Sequence, residues 1–134
     1  MLRQISIYTE NRKGAMSAIT NLLSSEGINI NAFVTNDSAE FGTVRMLVSD
    51  VDKANEILRR AEYMTKTTTV IAAEIPDDVG SLNRLLGFVE KANINIDYLY
   101  ASFDRESAGP IIVIRADDLP ELEAYLRANG YHCH

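Results

Sequence analysis

Apolar positions along the chain follow two rhythms, and the order of those rhythms is written twice. Ile5 and Ile7 alternate with polar neighbours, the period of a half-buried strand. After the polar segment Thr9–Gly14, the positions Ala15, Met16, Ile19, Leu22 and Leu23 mark one face of an amphipathic helix that Gly27 ends. Residues 28–36 then read as a strand, Asp37–Gly42 as a turn and residues 43–48 as a second strand. A second helix over Asp52–Glu62 and a short strand over Tyr63–Thr67 complete the first set.

The second set keeps the order. A strand over Val70–Ile75 leads into the loop Pro76–Gly80, and Leu82, Leu85, Leu86 and Val89 line one helix face. Strands over residues 94–103 and 110–115 flank the turn Asp104–Gly109. A helix over Leu119–Ala128, with Pro120 tolerated in its first turn, precedes a strand stub at Tyr131–His134. Ile94 and Ile96 put Tyr98 and Tyr100 on one apolar face, and Gly87 inside a helix suggests close packing there.

Residue identities repeat as well as rhythms. Gly14 with Ile28-Asn29-Ile30-Asn31 returns as Gly80 with Ile94-Asn95-Ile96-Asp97, and Leu58, Arg59 and Tyr63 return as Leu126, Arg127 and Tyr131. The chain therefore divides into units at 1–68 and 69–134, each strand-helix-strand-strand-helix-strand, the split βαβ arrangement called ferredoxin-like. Right-handed crossovers put both helices of a unit on one face of its antiparallel sheet. The class is α+β. Thr65–Thr69 leaves almost no linker, so the halves are expected to depend on each other.

Composition narrows the function. A net charge of −6 gives neither nucleic acid nor an anionic membrane the basic footprint that each needs. No segment reads as a signal peptide or a membrane span, and one cysteine cannot pair within the chain, so a cytoplasmic setting is expected. His132 and His134 share a strand face from which Cys133 points away, and only two metal ligands converge. A frayed chain end is the expectation there, with no metal and no cofactor. Catalytic spacings such as GxSxG, HExxH or a P-loop are absent.

The loops before the first helix of each unit carry the strongest candidate chemistry. A helix start offers unpaired N–H groups and partial positive charge, suited to a carboxylate or phosphate. Gly14 and Gly80 allow close approach to the backbone, and Asn11 and Asp77 lie within reach of an amino group. The plainer reading is that Asn11 and Asp77 cap or turn the chain.

Asn11-Arg12-Lys13-Gly14-Ala15-Met16 with Gly27-Ile28-Asn29-Ile30 resembles the ACT domain, a small regulatory module that binds amino acids. Asp77-Asp78-Val79-Gly80-Ser81-Leu82 with Ile94-Asn95-Ile96 resembles a second copy, so the likeness covers essentially the whole chain. The resemblance implies two ACT units side by side in an eight-stranded antiparallel sheet with helices on one face, and an amino acid at their interface. One pocket would join Asn11, Arg12, Lys13, Gly14 and Ala15 to Asn95, Ile96 and Asp97. Its mate would join Asp77, Asp78, Val79, Gly80 and Ser81 to Asn29, Ile30 and Asn31. Both loops depart from the family in lacking Pro before the Gly, where Lys13 and Val79 stand.

The loops also differ in charge, since Arg12 and Lys13 face a carboxylate favourably and Asp77 and Asp78 do not. The first pocket is therefore expected to bind more tightly. The reading is a non-enzymatic, amino-acid-binding regulator of an enzyme of amino-acid metabolism or of its own oligomer. An exposed outer strand could extend the sheet into a homodimer. The alternatives are an acylphosphatase-like hydrolase using Arg12 and a nearby Asn, or a structural subunit without ligand.

Overall fold

A computed structural model describes residues 1–37 and 41–134. Ser38–Glu40, the middle of the expected Asp37–Gly42 turn, lies outside the described residues. The chain forms strands β1 (Leu2–Glu10), β2 (Ile30–Asp37), β3 (Phe41–Val48), β4 (Met64–Glu74), β5 (Ile96–Phe103) and β6 (Pro110–Ala116). Its helices are α1 (Ala15–Ser25), α2 (Val51–Arg60), α3 (Ser81–Lys91) and α4 (Leu119–Ala128).

Among the described residues there are six strands, where eight were expected, and the reason is local. Thr65–Thr69 contains no Gly, Pro or Asn to turn the chain, and its β-branched threonines favour extended backbone. The segments read as two strands are one, β4. At the other end, the stub at Tyr131–His134 reduces to one bridge, Ala73 opposite Cys133.

Two compact units result: an N-terminal unit, Arg3–Thr68, and a C-terminal unit, Thr69–His134 with Met1 and Leu2. In the N-terminal unit β3 lies antiparallel between β2 and β1. Ile5 opposite Met46 and Ile7 opposite Val44 place their side chains on one face. There they meet Ile19 and Leu23 of α1 and Ala54, Ile57 and Leu58 of α2. In the C-terminal unit β6 lies antiparallel between β5 and β4. Ile71, Ala73, Ile112 and Ile114 pack against Leu85 and Val89 of α3 and Leu122 and Leu126 of α4. Ile111 and Val113 are buried on the other face of β6, which explains its unbroken apolar run.

All four helices end alike. The residue two past the capping position donates back to the last turn: Ile28 to Leu23, Tyr63 to Leu58, Ile94 to Val89 and Tyr131 to Leu126. Such Schellman ends place an apolar residue over the helix terminus and fix the path into the next segment.

Two expectations need correction. Strand β5 bulges between Ile96 and Tyr98, so Leu99 takes the helix-facing side opposite Ile114 while Tyr98 and Tyr100 face the other way. Gly87 is not closely packed, since a Cβ there would meet nothing within 4 Å. Gly87→Ala is accordingly expected to stabilise the chain by about 1 kcal/mol through helix propensity, measured by chemical denaturation.

Candidate functional site

The two loops that precede α1 and α3 have one geometry. Gly14 has φ 83° and ψ −2°, and Gly80 has φ 86° and ψ 0°. Ala15 N–H donates to Arg12 O at 3.2 Å, and Ser81 N–H donates to Asp78 O at 3.2 Å. Each loop thus closes as a type II turn, whose third position needs positive φ and takes Gly. Lys13 and Val79 occupy the second position, where proline would preset the backbone.

The helices that these turns lead into differ from the other two in how they start. Asp50 caps α2 by accepting from the Lys53 N–H, and Asp118 caps α4 by accepting from the Glu121 N–H. Neither α1 nor α3 receives a side-chain cap. Helices without candidate loops are closed by an aspartate, whereas in the other two only the Ala15 and Ser81 amides are taken, by their own turns, and no N-cap side chain bonds the amides that follow. An open helix start is an anion-receptive position.

The N-terminal unit sets a cavity of about 390 Å³ at the start of α1. Asn11, Arg12, Gly14 and Ala15 line it, together with Met16 and Ser17 from the first turn of the helix. Its far wall is made by Thr35, Asn36, Gly42 and Thr43, where β2 and β3 approach the loop. Sequence reasoning missed that wall, because it depends on the β2–β3 register and not on any motif. Lys13 lines a second depression on the other side of the loop, beside Tyr8, Ala18 and Tyr63. Asn29 and Ile30 border a third, under α1 at Ser17, Thr20 and Asn21.

Asn31 and Asp97, the last residues of the repeated strand motif, fall at the register shifts of their strands. The pairing skips from Ile30 to Ala32 and from Ile96 to Tyr98. A bulge re-aims a side chain without ending the strand and is common beside binding sites. Asn31 Oδ1 accepts from Asn29 Nδ2 at 2.7 Å, and an Asp97 carboxylate oxygen lies 3.8 Å from Arg115 Nε. The backbones on either side are tied down: Asn29 N–H donates to Ser49 Oγ, and Asn95 N–H donates to an Asp117 carboxylate oxygen.

The N-terminal unit holds Asn11–Ala15 and Asn29–Asn31, and the C-terminal unit holds Asp77–Ser81 and Asn95–Asp97. Asp77, Asp78, Val79 and Gly80 are exposed. Ser81 is 2% exposed, and its buried hydroxyl has no hydrogen-bond partner among the described residues. In the first loop Arg12 Nε lies 3.8 Å from a Glu10 carboxylate oxygen, both side chains well exposed. Glu10 therefore offsets one of the two cations that sequence reasoning assigned to this loop, and solvent weakens the pair further.

The chain end departs most from expectation. Cys133 is buried, which pushes its thiol pKa up, with Arg127 opposing. It belongs to the core and is not a poised nucleophile. His132 and His134 are joined by a third residue, Glu74 of β4, all three with ligand atoms within 4.8 Å of one another.

Among the described residues no helix is long and apolar enough to cross a membrane. The family model for an ACT domain pair matches residues 1–126. No curated protein matches the chain. Among solved structures, protein BT0572 from Bacteroides thetaiotaomicron is similar at 29% identity and TM-score 0.92, over 99% of this chain and 91% of that one. The regulatory subunit of aspartate kinase from Thermus thermophilus shares the fold at 18% identity and TM-score 0.67, over 95% and 89% of the two chains. Its counterpart from Thermus flavus does so at 18% identity and TM-score 0.67, over 94% and 88%.

Proposed function

Since the chain belongs to the ACT domain pair family, we propose that it is a regulatory protein that binds an amino acid and passes its state to an enzyme of amino-acid metabolism or to its own oligomer. One observation carries this reading: α1 and α3 start without side-chain caps where α2 and α4 are capped by aspartate. In the N-terminal unit that open start faces a cavity of about 390 Å³, room for a small ligand. The ligand carboxylate would take the first-turn amides of Met16 and Ser17, beyond the Ala15 amide that closes the turn, and the side chain of Asn11 would take its ammonium group.

Asn29, Ile30 and Asn31 and their repeats Asn95, Ile96 and Asp97 are proposed as further ligand residues, and the bulges at Asn31 and Asp97 support this, because they turn polar side chains out of strand register. The first loop is the stronger site, because Asp77 and Asp78 repel a carboxylate. Glu10 narrows that difference without reversing it.

Signalling follows from linkage: a ligand that binds one arrangement of the protein better shifts the population toward it, and a partner reads the shift. The protein is proposed to be non-catalytic and cytoplasmic, and to dimerise through an outer strand. A hydrolase built on Arg12 is disfavoured, because this side chain is exposed beside Glu10 and not held toward a substrate.

A thermal-shift screen against the proteinogenic amino acids tests the proposal. A ligand that binds the folded state alone raises stability by mass action, about 2.7 kcal/mol at one hundred times its dissociation constant. At least one amino acid at millimolar concentration is expected to raise the midpoint. Flat midpoints throughout, or turnover of an acyl phosphate, would point to the alternatives.

A further inference from the structure

We propose that Glu74, His132 and His134 form a binding site for a divalent first-row transition metal, with Zn²⁺ as the probe ion. The backbone creates the site. Ala73 bridges Cys133 in antiparallel sense, Glu74 N–H donates to His132 O at 2.9 Å, and His134 N–H donates to Ala72 O at 2.8 Å. That register sets Glu74 opposite His132 and Ala72 opposite His134. Ala73 and Cys133 point into the helix-side core, so the alternating neighbours Glu74, His132 and His134 share the other face.

The chain end is held in place. Arg127 donates to Cys133 O at 2.7 Å, Tyr131 N–H donates to Leu126 O, and the Tyr131 ring packs edge-on to Phe88 at 5.7 Å. His134 Nε2 lies 3.0 Å from Glu74 Oε1, and the two imidazoles are 4.6 Å apart, nearly perpendicular. Small side-chain rotations bring three donors separated by at most 4.8 Å onto one ion. Two imidazoles and a carboxylate suit Zn²⁺ and its neighbours better than Mg²⁺ or Ca²⁺, which prefer all-oxygen shells. Three protein ligands leave at least one position for water or an outside group. The ion would staple the chain end to β4.

Titration calorimetry of the full chain with Zn²⁺ tests this, with Co²⁺ absorption as a spectroscopic readout of the ligand set. One ion per chain with micromolar affinity is expected. Glu74→Gln, His132→Gln and His134→Gln should each weaken binding by about ten-fold or more and change the Co²⁺ spectrum. His132→Gln decides most cleanly, since His132 is exposed and its replacement leaves the 3.0 Å contact between His134 and Glu74 intact. Circular dichroism confirms that each variant is folded. Unchanged Zn²⁺ affinity in folded His132→Gln, or binding only at millimolar Zn²⁺, would overturn the proposal and leave an ordinary polar contact between His134 and Glu74.

Discussion

Gly109→Ala is expected to destabilise the protein by about 3 kcal/mol, the upper part of the range for overpacking. A Cβ at Gly109 would sit 2.2 Å from Ile75 O, 3.1 Å from Asp77 N and 3.2 Å from the Pro76 carbonyl carbon. All three are backbone atoms, so no side chain can swing aside. Ile75 N–H also donates to Pro110 O at 3.0 Å, which ties the start of β6 to the segment entering the second loop. Relief of the clash must move that segment and hence Asp77. Gly42, which matches Gly109 in the repeat, is the internal control: its Cβ would come no nearer than 3.4 Å to Asn36 O. Gly42→Ala should cost under about 1 kcal/mol, little more than an ordinary surface change. Equal urea midpoints for the two variants would contradict this.

Leu126→Ala is expected to cost about 3 kcal/mol, within the range for fully buried leucines. Leu126 is 0% exposed, packs in the C-terminal core, and accepts at its carbonyl the Tyr131 N–H that ends α4. Its counterpart Leu58 is also 0% exposed, packs in the other core, and accepts from Tyr63. Leu58→Ala should therefore cost a similar amount, measured as the loss of unfolding free energy in urea. A loss below about 1 kcal/mol at either position would mean that the core relaxes around the cavity far better than close packing allows.

Periodicity made the helices legible, because their apolar faces recur over ten or more residues and their ends carry turn chemistry. Strand ends were less so. A run such as Thr65–Thr69 has no side chain that separates a linker from a strand, and only the pairing of β4 decides. The bulges at Asn31 and Asp97 left no mark in composition, so Tyr98 and Tyr100 were assigned to the wrong face. The loops were found from Gly14 and Gly80, whose positive φ only glycine adopts cheaply. Their surroundings were not: the wall of Thr35, Asn36, Gly42 and Thr43 comes from strand register, and the loop charge was read without Glu10, which stands just before the loop beside Arg12. Glu74 was missed for the same reason. It stands fifty-eight positions before His132, and their meeting depends on one bridge at Cys133.

The proposed regulation rests on an amino acid binding at the open start of α1. Titrating the isotope-labelled chain with the amino acid that most raises the melting midpoint, while following backbone amide resonances, tests this most directly. Saturable shifts centred on Gly14, Ala15, Met16 and Ser17 are predicted, at lower concentration than any at Gly80 and Ser81. Asn11→Ala should weaken the response more than Asp77→Ala does. Shifts elsewhere with these four amides unmoved, or equal loss from the two substitutions, would contradict it.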